Sequence, residues 1–172
     1  ELLKRCQTVT FATVNGEGFP RPVPVKTLRT DDALTIWFAT GIDSEKVAHI
    51  RRNMRTGASF YDRDDSVSLI GHAEVVTDPE TLRDMWQPWL EAHFPGGPSD
   101  ANYCLIKFTP GEGAFCLEGE FVKFRLAWVV GRAPELEMIF QGSRSRRKVL
   151  SLRWNRTPYR AGDGETRFCQ NE

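Results

Sequence analysis

Proline stands at every second position of Pro20-Arg-Pro-Val-Pro-Val-Lys26, a severe constraint on any sheet this segment joins. Residues two apart in a strand send their main-chain N–H groups to the same edge. Three missing donors therefore fall on one side, and proline cannot contribute to a ladder there. The segment must be open along that edge and can be fully paired only along the other. A partner for the intact edge is at hand. Thr8-Val-Thr-Phe-Ala-Thr-Val14 alternates as a strand, and Asn15-Gly-Glu-Gly18 is a hairpin turn whose glycines can take positive φ. Taken alone, the open edge reads equally as a solvent-facing strand blunted by proline.

The next segments repeat the strand-and-turn pattern. Residues 34 to 40, Leu-Thr-Ile-Trp-Phe-Ala-Thr, form a β-branched and aromatic strand after the turn Thr30-Asp-Asp-Ala33. Strands at 57–61 and 66–76 flank the turn Asp62-Arg-Asp-Asp65. Asp78 with Pro79 opens a helix, in which Leu82, Met85, Trp86, Trp89, Leu90 and Phe94 recur at helical spacing. Pro88 should break or kink it. Such a stripe belongs to a core or a dimer seam more often than to a ligand site. Residues 95–100 are a Pro/Gly loop, and 103–109 and 120–127 alternate as two further strands, with Gly111 and Gly113 read as turn glycines between them. Short strands separated by frequent turns predict a small, mainly β, antiparallel barrel with a few helices.

One cluster of residues carries chemistry. Gly41 ends the third strand, and Asp43 or Ser44 caps a helix predicted to run to about Asn53. Arg21 and Lys26 lie on the proline strand, and Thr40, Ser44 and Lys46 surround the helix start. The first amides of a helix are unpaired and favour an anion. Lys46 in the first turn opposes the helix dipole at a cost of about 0.3–1 kcal/mol. A bound phosphate would remove that conflict. The competing reading makes Ser44 an ordinary N-cap and Lys46 a solvated helix residue.

The order and spacing of these segments resemble the flavin-binding split-barrel proteins of the pyridoxamine 5'-phosphate oxidase superfamily. In those oxidases a strand with Arg-x-x-Leu-Leu-Lys precedes a strand ending in Thr, then Ser-Arg-Lys at a helix start. Arg21 and Lys26 match the ends of the first motif; Thr40, Ser44 and Lys46 match the second, with Glu45 in place of the arginine. Further collinear blocks resemble the general stress protein branch: Ser66-Val-Ser-Leu-Ile-Gly71-His-Ala-Glu-Val-Val-Thr-Asp78, Asn102-Tyr-Cys-Leu-Ile-Lys-Phe-Thr109 and Leu117-Glu-Gly-Glu-Phe121. Where relatives often carry Tyr-Trp, this chain has Phe115-Cys116.

The resemblance implies an FMN-binding split barrel over residues 1–127, with FAD or a deazaflavin as alternatives to FMN. Its phosphate would be held by Arg21, Ser44 and Lys46, with Thr40 donating from its hydroxyl. The ring would lie against the open edge, on the amides of Val23, Val25 and Lys26, with Ser66 as a further contact. It also implies a homodimer with a shared cofactor site, and a flavin-dependent oxidoreductase or, alternatively, a non-catalytic flavin sensor of the stress response. The catalytic residue and the small-molecule substrate stay unassigned. The Arg-x-His segment that closes the oxidase substrate site has no counterpart, so pyridoxamine phosphate oxidation itself is not expected.

Composition narrows the remaining classes. Of 172 residues, 40% are apolar and 27% charged, ordinary for one globular domain. No long apolar run or leader-like segment stands out, so the expectation is a cytoplasmic protein with no membrane partner. Cys6, Cys104, Cys116 and Cys169 are scattered without ligand spacing, and no metal site is expected. The first 140 residues carry 15 Lys and Arg against 20 Asp and Glu, whereas the last 32 carry 8 against 3. Residues 128–172 are therefore read as a basic extension outside the barrel. Arg144, Arg146, Arg147 and Lys148, with Trp154 and Tyr159 nearby, admit a nucleic-acid reading, but no recognition motif accompanies them and nucleic acid is not the expected partner.

Overall fold

The computed structural model describes residues 6–31, 34–117, 120–127, 135–140 and 147–150. Its strands are β1 (Thr8–Val14), β2 (Pro20–Thr30), β3 (Ile36–Gly41), β4 (Arg55–Asp62), β5 (Asp65–Val76), β6 (Tyr103–Leu117), β7 (Glu120–Ala127), β8 (Glu135–Phe140) and β9 (Arg147–Leu150). They form one antiparallel sheet in the order β3-β2-β1-β4-β5-β6-β7-β8-β9, and β3 returns to pair with β6. That last pairing, from Ile36 opposite Phe108 to Gly41 opposite Tyr103, closes β1 to β6 into a six-stranded barrel. The fold is the small, mainly β antiparallel barrel that the turn-punctuated strands predicted, split as the family resemblance implied.

The proline spacing decides where the barrel is split. Pro20, Pro22 and Pro24 sit opposite Val14, Ala12 and Thr10 of β1. Pairing of β2 with β3 begins only at Thr27, opposite Phe38. Over residues 20–26 the β3-facing edge of β2 is open. The Thr27 N–H donates to the Gln7 carbonyl at 2.9 Å, and because N–H direction alternates along a strand, Val25, Val23 and Arg21 also turn their amides toward β1. This corrects one expectation: the Val23 and Val25 amides are directed into the β1 ladder and do not face the open edge. What the edge presents instead is the row of Pro20, Pro22 and Pro24 carbonyls, which have no partner strand there among the described residues.

Alternation along the strands sorts side chains into two cores. Phe11, Phe38, Phe60 and Phe108 point into the barrel, each at most 1% exposed. Phe11 packs its ring 4.9 Å from Phe38 and 5.8 Å from Phe108. On the outer face of β3 and β6, Tyr103 and Leu105 bury themselves under Leu82, Met85, Leu90 and Phe94. The aromatic stripe is thus largely core, as its spacing suggested, but not as one helix. A short helix α2 (Pro79–Asp84) ends before Pro88, and a 3₁₀ turn takes over at Pro88–Ala92. The proline removes the N–H that would have continued the helix.

Helix α1 (Glu45–Arg52) crosses from β3 to β4 and buries Val47 and Ile50. The turn before it is tied down by Asn102, whose carbonyl accepts from the Ile42 N–H at 2.7 Å and whose side-chain oxygen accepts from the Asp43 N–H at 3.3 Å. His49 on α1 is hydrogen-bonded through Nδ1 to the buried Thr13 hydroxyl at 2.9 Å. It is a structural histidine.

One further expectation is corrected here. Gly111 and Gly113 are not turn glycines; both lie within β6, which runs unbroken through Pro110. The register shifts there, Ile70 facing Glu112 and Gly71 facing Pro110, so Gly111 is the extra residue of a bulge. Glycine is needed close by, since a Cβ at Gly113 would come within 2.5 Å of the Ser68 carbonyl. Part of the basic extension is β-structured. The segments 135–140 and 147–150 are strands paired in succession beyond β7, lengthening the sheet outside the closed ring. Arg144, Arg146, Trp154, Tyr159 and Cys169 lie outside the described residues.

Candidate functional site

The split opens into a cleft of about 280 Å³, walled by Pro24, Val25 and Lys26 of β2, Ala39 and Thr40 of β3, and Lys46 of α1. Trp89, Leu90, His93 and Phe94 close its remaining side. Four of the residues picked out from the sequence, Val25, Lys26, Thr40 and Lys46, therefore line one concavity. Inward alternation along β3 places Thr40 at the barrel mouth, 7% exposed. Its hydroxyl lies 3.2 Å from that of Ser44. Ser44 caps α1 through its main chain alone, with no side-chain cap hydrogen bond, so its hydroxyl is not consumed by the helix. The first two amides of α1, those of Glu45 and Lys46, stand at the helix end that leaves N–H groups without intrahelical acceptors.

Arg21 reaches the helix start from β2, where its Nη2 lies 3.5 Å from Glu45 Oε2. Both side chains are exposed, at 56% and 77%, so this pair contributes little to stability. At the other end of the cleft the Lys26 ammonium sits 4.1 Å from the centroid of the Trp89 ring. A cation over an indole face gains about 0.5–1 kcal/mol at an exposed position. The cleft thus has Thr40 and Lys46 at one end, with Ser44 beside Thr40 and Arg21 paired to the neighbouring Glu45, and an aromatic end carrying Lys26. A phosphate suits the first, and a flat ring with hydrogen-bonding edges suits the second.

Ser66 does not join this group. It sits on β5 opposite Tyr61 and Cys116, three strands around from β2, and lines no part of the cleft. The contributions of Trp89 and His93 were not evident from sequence reasoning, which noted Glu45 in place of the motif's arginine but not its contact with Arg21. The break at Pro88 was the available signal for the first two, because a helical phase counted from Leu82 no longer applies beyond it. Asn102, which holds the β3–α1 turn, stood in a family-like block but had no assigned role.

Two buried groups lie beneath the site. Burial pushes the Cys104 thiol up to about 11, with the charges of Arg51 and Lys46 acting in the opposite direction. Burial likewise raises the Tyr103 hydroxyl to about 12; its ring packs between those of Trp86 and Phe94, and the hydroxyl has no hydrogen-bond partner among the described residues. Both stay protonated through the physiological range. Among the described residues no group of three or more His, Cys, Asp or Glu is placed to hold a metal ion, and no helix is long and apolar enough to cross a membrane. A larger groove, about 640 Å³, runs along β1, β4, β5 and β6 past Ala12, Gly57 and Ile70, and includes none of Arg21, Lys26, Thr40, Ser44 and Lys46.

The same architecture occurs in solved structures. A Clostridium acetobutylicum protein related to general stress protein 26 of B. subtilis superposes with a TM-score of 0.66 at 21% identity, over 72% of this chain and 89% of that one. General stress protein 26 of Bacillus anthracis gives 0.60 at 22% identity, over 71% and 92%. The general stress FMN/FAD binding protein of Xanthomonas citri gives 0.59 at 25% identity, over 67% and 83%. No curated protein matches the sequence. Residues 1–131 match the sequence profile of a family described as pyridoxamine 5'-phosphate oxidase like. With three quarters of its length covered by that match and its split barrel shared with these relatives, the chain belongs to the pyridoxamine 5'-phosphate oxidase-like family.

Proposed function

We propose that the protein binds a flavin phosphate in the cleft at the barrel split and works as a flavin-dependent oxidoreductase, with FMN the simplest cofactor. The observation that carries this is the convergence of Lys26, Thr40 and Lys46 on one cleft, with Ser44 beside Thr40 and Arg21 paired to the neighbouring Glu45. The donor set fits the cofactor: cations and hydroxyls for the phosphate, open carbonyls of β2 for ring N–H groups. Arg21 and Lys46 would neutralise the phosphate, Thr40 and Ser44 would donate to it, and Lys26 would stand near the ring, held by Trp89. When bound, the flavin supplies the electron transfer, and the protein supplies orientation and charge. Similarity to a Xanthomonas citri protein named for FMN/FAD binding supports the same reading.

Titration with FMN should shift the flavin absorbance bands, with saturation below tens of micromolar. An unchanged spectrum at that concentration would end the assignment. The second reading is a non-catalytic flavin sensor. Glu45 beside Arg21, and Cys116 where relatives often carry a tryptophan, favour it. Adding NADH or NADPH to the loaded protein separates the two: bleaching of the flavin followed by electron transfer to an acceptor supports the enzyme, and a flavin that neither donor reduces supports the sensor.

A twofold dimer is part of the proposal. The Trp86 stripe expected to drive it is partly buried within the chain, but Ile70, 54% exposed, lines the larger apolar groove and leaves surface for a second copy to cover. Such a dimer would be the way for Ser66, remote from the cleft of its own chain, to reach a cofactor. Sedimentation equilibrium should return twice the 19.6 kDa chain mass. A monomer that binds flavin at full strength would remove both the dimer and Ser66 from the site.

A further inference from the structure

Among the described residues no carboxylate lines the cleft, so nothing in its wall neutralises Lys26. Its ammonium instead stands 4.1 Å from the centroid of the Trp89 ring, inside the range of about 6 Å over which an indole face attracts a cation. Trp89 owes its place to its neighbours along the chain. Pro88 opens the 3₁₀ turn, and Leu90 and Phe94, 1% and 7% exposed, anchor it against Tyr103 and Leu105. Trp89 itself stays 37% exposed in the cleft wall, with the His93 ring 6.4 Å away and nearly perpendicular. We propose that Trp89 is a positioning residue that holds the Lys26 charge at the ring end of the cleft, and that the protein thereby favours the reduced, negatively charged flavin ring over the oxidised, neutral one. This rests on the flavin reading and adds how the same site sets the redox balance of its cofactor.

A lysine ammonium is a point charge on a flexible aliphatic stem, and Lys26, exposed at the end of the proline row, would otherwise sweep a wide arc. The indole face restricts it. Backbone alternation puts the same residue beside the open edge: the Thr27 N–H is directed to β1, so the Lys26 N–H turns the other way, next to the row of proline carbonyls. Main chain and side chain of one residue thus border the place where a flat ring fits. Two-electron reduction of a flavin with uptake of one proton from solvent leaves one negative charge on the ring, whereas the oxidised ring is neutral. A fixed cation attracts the charged form, with an energy that falls as the separation grows. A cation that swings into water spends part of its time too far away and too well screened to do so. Trp89 therefore acts through Lys26: it adds no charge of its own, and its effect disappears when the ammonium is removed.

A redox titration of FMN bound to the full chain tests this, with dithionite as reductant and a reference dye at pH 8, in the wild type, Trp89→Leu, Trp89→Phe, Lys26→Met and the double variant of Trp89→Leu with Lys26→Met. Lys26→Met should shift the balance about tenfold toward the oxidised form, a midpoint lowered by about 30 mV for a two-electron couple. Trp89→Leu should give a shift of about threefold in the same direction, and Trp89→Phe a smaller one, because phenylalanine keeps a weaker attractive face. In the Lys26→Met background Trp89→Leu should add nothing. In the flavin-free chain, Lys26→Met should move the indole N–H resonance of Trp89, identified by its loss in Trp89→Phe. An unmoved resonance, a wild-type midpoint in either Lys26→Met or Trp89→Leu, or a Trp89→Leu shift that persists undiminished in the double variant overturns the proposal while leaving flavin binding intact. If the wild type binds no FMN, the flavin reading fails and the positioning of charge toward the ring fails with it.

Discussion

A Lys46→Ala variant is expected to bind FMN roughly 10- to 150-fold more weakly than the wild type, the loss of one charge-assisted hydrogen bond worth about 1.5–3 kcal/mol. Lys46 lines the cleft and is only partly exposed, so its charge is less screened than that of a surface lysine. Its place in the first turn of α1 opposes the helix dipole, by about 0.3–1 kcal/mol, so removing it should leave the urea midpoint of the ligand-free protein unchanged or slightly raised. Weaker binding together with undiminished stability is the signature of a residue kept for a ligand. Lys123→Ala, exposed on β7, is the control and should change neither quantity. Equal FMN affinity in the two variants would take Lys46 out of the site; a lowered midpoint would recast it as a structural residue.

Phe11→Ala should cost about 3–5 kcal/mol, a large part of the roughly 5–15 kcal/mol that a domain of this kind possesses. Phe11 is completely buried at the centre of β1, and its ring touches Phe38 of β3 and Phe108 of β6, strands on either side of the closure. Truncation leaves a cavity that those rings, held by their own strands, can fill only in part. Phe19 provides the comparison, being 62% exposed beside the β1–β2 turn. Phe19→Ala should fall within about 0.5 kcal/mol of the wild type. If urea unfolding gave similar midpoints for the two variants, the barrel interior would be assembled differently from this description.

Much of the site was legible because it depends on short-range rules. The open edge of β2 follows from counting N–H groups along Pro20, Pro22 and Pro24. The start of α1 follows from Gly41 and Ser44, and the position of Lys46 from its place in the first turn. Errors arose where a local signal had a second meaning. Pro110-Gly111 has the composition of a turn, yet the pairing of β5 with β6 absorbs it as a bulge, because the ladder on both sides of the extra residue outweighs one missing donor. Free amides at Val23 and Val25 looked available for a ligand until the register with β1 assigned them direction.

The sequence by itself determined the β class, the hairpin of β1 and β2 and the proline-lined edge, each of which depends on dihedral preferences or donor counts within a few residues. It marked Arg21, Lys26, Thr40, Ser44 and Lys46 as candidates, chosen with the help of the family resemblance. Only the tertiary structure decided that β3 closes on β6, that the turn at Pro88–Ala92 brings Trp89 over Lys26, that Glu45 meets Arg21, and that Ser66 stands apart. Those relations join residues far apart along the chain. They are settled when burial of the phenylalanine interior selects one strand order among several that the same local pattern permits.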